Sequence, residues 1–572
     1  MFIRCLFYMC CVLLFLGCSD TEEDTPALEK GSFQVQVFLD NEPYENAMVT
    51  TKPTTSSLLT DSDGSAFFDN IVVGEYEVQV VIPEAPEDYF ISFITVIKDD
   101  TAYTRLDLVS PPPIYPDEID VTLVLASVYE SVGQSYNFDG FSTLWGDIGT
   151  DFTYVNKQTN GERTALDTYR LSSQDRLVNQ VYKDYYAIIL DINTGLECLK
   201  DPECLGTQEI DTTRLEAEFK FLRALTYFNL VKIYGNPILV TTVNSDIETP
   251  LPIVQGGEEV YQQIIEDLMF AKQYLPNIES VFMASKEAAT ALLGKVYMQM
   301  AGFPLLQTGK YSLALEQFKK LQNWFSLEEN YSEVFSLDQG SQSTENILMF
   351  KFTSGLYGRN WGPLGFAGDD LLLLDRSFIT ASGAGETFTD SVTFPINVPD
   401  VRFHQNIASF RIASGQIENE TDPNSWRPLK FMAKDNLLES KNINQVVLIR
   451  YADVLLLLAE AENNVNGPTA LAYEAFNSVR RRAHQNGDFD LPLGLNQQEF
   501  FDAIVEERKL ELCFEGHRKD DLVRWQLLEN KLLEFNEQHP QDVKDFQSHK
   551  YIWPIPQNEL DVNPEVQQNP GY

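Results

Sequence analysis

Two carboxylates one helical turn apart, Glu507 and Glu511, are the residues of this 572-residue chain whose spacing most directly suggests chemistry. In a helix their Cβ atoms stand about 6 Å apart, close enough for the paired acids of a glycoside hydrolase. The neighbouring residues offer a second chemistry. Wound at about 100° per residue, the stretch sets Phe500, Phe501, Ile504, Val505, Leu510, Leu512 and Phe514 on one arc. Glu507, Arg508, Glu511 and Glu515 fall inside that arc, while Asp502, Glu506, Lys509 and Cys513 take the opposite, polar face. Charges on an apolar arc are buried, and buried charges are paired more often than catalytic. Arg508, Arg518 and Arg524 lie nearby and offer fork-shaped partners for these carboxylates. An ion-pair network that locks helix to helix is therefore the favoured expectation, with a two-acid hydrolase as its rival.

Other catalytic and metal motifs are missing. The chain contains no H-E-x-x-H, G-x-S-x-G, G-x-x-x-x-G-K-[ST] or G-x-G-x-x-G, and its five histidines, His404, His484, His517, His539 and His549, are scattered. No paired Cys or His cluster completes a metal ligand set, so neither metal nor cofactor is expected. A formal net charge of -43 disfavours nucleic acid, whose binding rests on a basic surface that releases counterions. An uncharged or cationic ligand is easier to accommodate.

The elements that must position any site follow from the pattern along the chain. Met1 to Gly17 has the plan of a signal peptide: Arg4, an apolar run from Cys5 to Leu16, then a small residue. Phe15-Leu16-Gly17-Cys18 resembles a bacterial lipobox, which implies cleavage before Cys18 and lipid on its thiol. Residues 18–30 form a tether whose acids, Asp20, Glu22, Glu23 and Asp24, resemble the export signal of surface lipoproteins in Bacteroidetes. A plain secretory leader and a solvated acidic linker are the simpler alternatives. In an exported chain, Cys198 and Cys204 flank a loop short enough for a local disulfide, and Cys513 is a candidate free thiol.

Residues 31–110 read as a small all-β sandwich. Phe33-Gln34-Val35-Gln36-Val37-Phe38 and Tyr76-Glu77-Val78-Gln79-Val80 alternate apolar with polar, and Asp63-Gly64 and Val73-Gly74 mark turns. The run from Thr60 to Tyr76 resembles the regulatory-like domain found beside carboxypeptidases. Asp61 and Asp63 suit a turn better than a calcium loop, because position twelve counted from Asp61 is Val72 where a bidentate Glu is needed. Pro111-Pro112-Pro113 and Pro116 then form a stiff connector, and a second domain runs over 111–572. There helix pairs dominate, at 174–192 with 214–234, 258–274 with 286–300, then 311–321, 451–464 with 471–482, and 497–514 with 520–533. Small residues at crossings, Ala288-Ala289 and Ala459 with Ala461, mark tetratricopeptide-like repeats. Between them, residues 328–444 form a long irregular subdomain rich in Gly and aromatics, and a non-helical stretch of that length is usually functional or disordered.

The pattern E-R-x-x-E-L-x-x-E-G-x-R-x-x-D-L-x-R-W, spelled from Glu507 to Trp525, closely resembles the signature of the SusD/RagB family of outer-membrane nutrient-binding lipoproteins. Arg214 to Tyr234, Arg450 to Asn463, Asn477 to Ala483 and the ending Tyr551 to Tyr572 match the same family in the same order. The resemblance implies a mainly α, repeat-built lipoprotein of the outer membrane, facing outward. Such a protein binds an oligosaccharide without turning it over and passes it to a SusC-type TonB-dependent transporter. Family members tend to place ligand contacts in the irregular half and after the first helix. Chemistry and position there select Tyr154, Asn156, Tyr357, Arg359, Trp361 and Trp426 as candidate ligand contacts, rings to stack on sugar faces and polar groups to bond hydroxyls. Trp361 and Trp426 serve equally well as core anchors.

Overall fold

The structure is a computed structural model. It describes residues 29–572 apart from 40–41, 83–84, 99–100, 109–119, 137–141, 157–160, 206–209, 244–252, 337–339, 352–371, 380, 383–399, 414–415, 432–444 and 485–488. The leader with Cys18, the acidic tether, the proline connector, and Tyr357, Arg359 and Trp361 thus lie outside the described residues. The described chain divides into two compact units, one ending at Leu108 and the other starting at Asp120.

In the first unit, period-2 alternation gives the expected sandwich. One sheet joins β1 (Lys30–Leu39) to β2 (Glu42–Pro43) and β5 (Ser65–Val72), with β8 (Thr101–Leu108) parallel to β1. The other runs β4 (Leu58–Leu59), β3 (Met48–Lys52), β6 (Gly74–Ile82), β7 (Ala85–Val96). Phe33, Val35 and Val37 from the first sheet and Tyr76, Val78 and Val80 from the second fill one apolar core, where Phe33 stacks on Phe68 at 4.5 Å. Asp61 closes a turn: its carboxylate accepts the amides of Asp63 and Ser65 at 3.0 and 2.9 Å, and Gly64 supplies φ +71°.

The second unit is built on helices α1 (Val121–Gln134), α2 (Arg176–Cys198), α3 (Thr212–Tyr234), α4 (Gly257–Tyr274), α5 (Lys286–Ala301), α6 (Lys310–Lys319), α7 (Tyr451–Asn466), α8 (Ala470–Ala483), α9 (Gln497–Glu511), α10 (Arg518–Arg524) and α11 (Leu528–Gln538). Each packs on the next in sequence from α1 to α7, and α7 also carries α8 and α9, the arrangement of stacked helical repeats. Side-chain caps start several of them: Asp211 on the Arg214 amide, Ser285 on Ala288, Thr469 on Ala472, and a reciprocal Asn496–Glu499 capping box on α9. The expected crossing residues Ala288, Ala289, Ala459 and Ala461 are all fully buried.

The C-terminal helices differ from the sequence pattern. The helix expected over 497–514 stops at Glu511, because Phe514 turns to φ +65° and Gly516 to φ +77°. The one expected over 520–533 splits into α10 and α11, where Gln526 takes φ +60°. Beyond the helix end, Cys513 does not share the polar face; it is buried, and burial pushes its thiol up to about 12. Cys198 and Cys204 are unbridged thiols.

Between α6 and α7 no helix among the described residues exceeds one turn or so. Short strand pairs take over: β9 (Thr153–Val155), contributed from upstream, pairs with β11 (Leu372–Leu374), and β10 (Asn346–Lys351) pairs with β16 (Gln445–Arg450). β12 (Ile407–Ala408) pairs with β15 (Arg427–Pro428), and β13 (Phe410–Ala413) with β14 (Gln416–Asn419).

Candidate functional site

The acids of α9 face inward, as their place on the apolar arc requires. Glu507 is 2% exposed and Glu511 0%. Glu511 accepts from three guanidinium groups, Arg402 at 2.9 Å, Arg450 at 2.6 Å and Arg482 at 2.5 Å. Glu507 meets Arg402 at 2.7 Å and Arg480 at 3.2 Å. Glu515, just past the helix, bonds Arg450 at 2.7 Å and Lys430 at 2.5 Å. Burial alone would raise the Glu511 carboxyl, but Arg482, Arg450 and Arg402 overrule it and hold it well below the usual carboxylate range.

The partners differ from those adjacency suggested. Arg508 binds Asp521 and Asp453, each at 2.8 Å, Arg518 grips Asp151 with two nitrogens at 2.8 and 2.7 Å, and Arg524 joins Glu460 to Asp521. A residue next to Glu507 on the helix points about 100° away from it, so Arg508 cannot fold back, and the neutralising cations come from β16, α8 and the irregular half. Every acid of the pair is enclosed and matched to cations. Neither reaches a cleft where a glycosidic bond could be seated, so the hydrolase assignment to Glu507 and Glu511 loses its geometric basis.

The six candidate ligand contacts fare differently. Tyr154 and Trp426 are brought together by β11: Tyr154 lies opposite Leu373 in the β9–β11 pair, and the Leu374 amide donates to the Trp426 carbonyl at 3.0 Å. Tyr154 is largely buried; its hydroxyl donates to the Asn424 carbonyl at 2.7 Å. Burial raises its phenol above the ordinary value, and Asp542, Asp422 and Asp375 add to the shift. Trp426 is 4% exposed, donates its indole N–H to the Glu420 carbonyl at 3.1 Å and sets its ring against Phe403. Both rings therefore act as anchors in their described setting. Asn156 is half-buried directly after β9. Tyr357, Arg359 and Trp361 belong to the 352–371 stretch, whose end leads straight into Leu372, the partner of Val155.

The structure adds two residues that the sequence did not single out. His539, at the end of α11, meets Asp375 at 2.6 Å and lies against the Tyr154 ring at 5.5 Å. Burial opposes ionisation of Asp375, but hydrogen bonds from His539 and Ser377 hold it below its ordinary value. A lone His and a lone Asp 164 residues apart carry no local motif, so only the fold could pair them. No group of three or more His, Cys, Asp or Glu side chains among the described residues is arranged to hold a metal ion.

Two family models match separate stretches of the chain: the one described as "SusD family" over residues 404–572, and "Starch-binding associating with outer membrane" over 106–298. A SusD-like protein, P25, of Formosa agariphila is 27% identical over 515 residues, covering 81% of this chain and 94% of its own. Among solved structures, a SusD homolog from Bacteroides thetaiotaomicron superposes with a TM-score of 0.68 at 23% identity, covering 79% of this chain and 96% of that one. A laminarin binding SusD-like protein gives 0.62 at 24% identity, over 80% and 100%. The repeat scaffold is the fold of these solved SusD-like structures. The chain is thus similar to SusD-type proteins along two separate stretches and over most of its length.

Proposed function

We propose that this protein captures an oligosaccharide at the outer face of the outer membrane and passes it to a SusC-type TonB-dependent transporter. Lipid on Cys18 anchors it there, and the acidic tether routes it outward. Tyr154, Asn156, Tyr357, Arg359, Trp361 and Trp426 form or support the ligand surface. Its related proteins include one whose name gives laminarin as its ligand, and the matching family model carries starch binding in its description.

The observation that carries this reading is a contrast of settings. The two acids that would make a hydrolase are enclosed among arginines, whereas β9 and β11 bring Tyr154 and Asn156 beside the residue that follows the aromatic-rich 352–371 stretch. Flat rings with a few polar groups hold a neutral saccharide without reacting with it. Calorimetry and a glycan array with the ectodomain test the proposal. Saturable binding of an oligosaccharide that Trp361→Ala weakens, with no product formed, is the expected result. Silence across the glycans together with binding to peptides overturns the substrate class, and turnover that Glu511→Gln abolishes in a folded protein overturns the non-catalytic role.

A further inference from the structure

A separate cleft of about 340 Å³ opens in the helical part of the second unit, where the start of α4, the end of α5 and the 551–552 segment meet. Its volume falls within the range of roughly 300–1,000 Å³ typical of small-ligand sites. It shares no residue with the β9–β11 region. Two of its wall residues, Gln299 (7% exposed) and Tyr261 (5% exposed), are buried overall, and their amide and hydroxyl have no hydrogen-bond partner among the described residues and stay accessible at the cleft. A third, the half-buried Tyr551 hydroxyl, is likewise unpartnered among them.

Three polar groups with no protein partner therefore converge on one concavity, two of them on residues more than nine-tenths buried, and a ligand seated there can take the hydrogen bonds they otherwise leave to water. The charges around them narrow its chemistry. Lys232 is paired with Asp520 at 2.6 Å, and the other oxygen of Asp520 accepts the Trp145 indole N–H at 2.6 Å. The cleft thus has no unpaired cation for an anionic ligand. Glu258 and Glu259 stand exposed in the first turn of α4 at its rim and repel anions, while accepting readily from hydroxyl groups.

Amide, phenol and carboxylate groups converging beside the Tyr551 ring are what a sugar ring bearing several hydroxyls requires. We propose that this cleft is a second ligand site, taking one or two rings of a neutral sugar. The assignment deepens the oligosaccharide reading only in its class of ligand; its residues are independent of the first site.

Hydrogen exchange of the whole chain, followed with maltose, laminaribiose and xylobiose, tests it, with putrescine and glucose 6-phosphate as charged probes. The expected result is slowed exchange in peptides spanning 257–261, 299–305 and 551–553 with at least one neutral disaccharide. Gln299→Leu and Tyr261→Phe should each weaken that effect about tenfold, the loss of one hydrogen bond, without lowering the melting temperature. The Gln299 amide has no protein partner to lose, so a stable Gln299→Leu that no longer binds is specific to a ligand role. If either variant does not fold, Tyr551→Phe at the half-buried position supplies the same loss. The proposal is overturned if none of the three sugars slows exchange there, if only a charged probe does, or if folded variants bind unchanged. Loss of binding in Trp361→Ala with protection at 257–261 intact would separate this site from the first; protection elsewhere alone would sink this one and leave the first standing.

Discussion

The two units bury very different interiors. Among described residues of the first, the buried polar side chains are Thr51 and Thr60, and the rest of the core is apolar. The second encloses Arg402, Lys430, Arg450, Asp453, Glu460 and Glu511, each 2% exposed or less. An apolar core is held by area and tolerates changes of shape. A charged core is held by reciprocity, because each group is affordable only while its partners are present. The comparison assigns the two units different weak points: volume in the sandwich, charge balance in the repeats.

Glu511→Ala is the most severe way to sharpen that contrast. It leaves Arg402, Arg450 and Arg482 facing one another in a dry interior, and breaking a buried network this way costs about 3–5 kcal/mol. Calorimetry with hydrogen exchange should show peptides of the second unit losing protection while β1–β8 keep theirs. Equal loss in both units would break the comparison. Val78→Ala, in a fully buried strand position, should do the converse with a loss of about 2 kcal/mol confined to the first unit. Val78→Ile tests the same point more gently, since the apolar core should absorb it better than Arg450→Lys is absorbed in the lattice, where Lys cannot reproduce the two-nitrogen grip on Glu515.

The same contrast explains what could be read from the sequence. Period-2 alternation marked Phe33, Val35 and Val37 as inward, and they are, because in a sandwich the burial rule is local. Helical periodicity likewise placed Glu507, Glu511 and Glu515 on the buried side and made pairing the expected outcome. It could not name the partners: Glu511 lies 109 residues from Arg402 and 61 from Arg450. Nor could it see α9 stopping at Glu511, since nothing in Leu512-Cys513-Phe514 breaks a helix by composition and the left-handed turn at Phe514 is imposed by its surroundings. The Asp375–His539 contact was illegible for the same reason of separation. Tyr154 and Trp426 were legible as aromatic and upstream or inside the irregular half, but their burial depends on strand pairing with β11.

Charge in the second unit also predicts opposite responses to pH. Asp147 is buried beside Gly516, whose amide it accepts at 3.2 Å, and its other oxygen has no partner. Burial pushes its carboxyl up from 3.8 to about 8. Its folded pKa therefore lies above the unfolded one, so the native state binds the proton more tightly and stability falls as pH rises from about 4 to 8. Asp147→Asn, which carries the uncharged shape at every pH, should remove that slope and stabilise the protein at pH 8 by up to roughly 5 kcal/mol, with little effect at pH 4. Glu511 runs the other way: held below its unfolded value, it contributes stability above about pH 4.5 that is lost on acidification. Melting curves of both variants across pH 3 to 9 read the two slopes separately, and an unchanged slope in Asp147→Asn would mean that the carboxyl ionises normally in the fold.

The smallest effect expected is at the entry to α9, and it tests whether the lattice depends on the helix that carries it. Asn496 accepts the amides of Gln498 and Glu499 at 2.9 and 3.0 Å, while the Glu499 carboxylate takes the Asn496 amide at 2.8 Å. Both side chains are solvent-exposed, so their loss removes a cap without opening a cavity or stranding a charge. Asn496→Ala should cost about 1 kcal/mol. Because the first helical turn is two turns away from Glu507, the loss should appear as faster exchange over 497–501 with protection from Glu507 onward preserved. If α9 were held chiefly by its own propensity, fraying would run through to Glu511 and the penalty would approach that of breaking the lattice. A confined effect means instead that the arginines of β16, α8 and the irregular half hold the helix, and that its winding is a consequence of the charges it delivers.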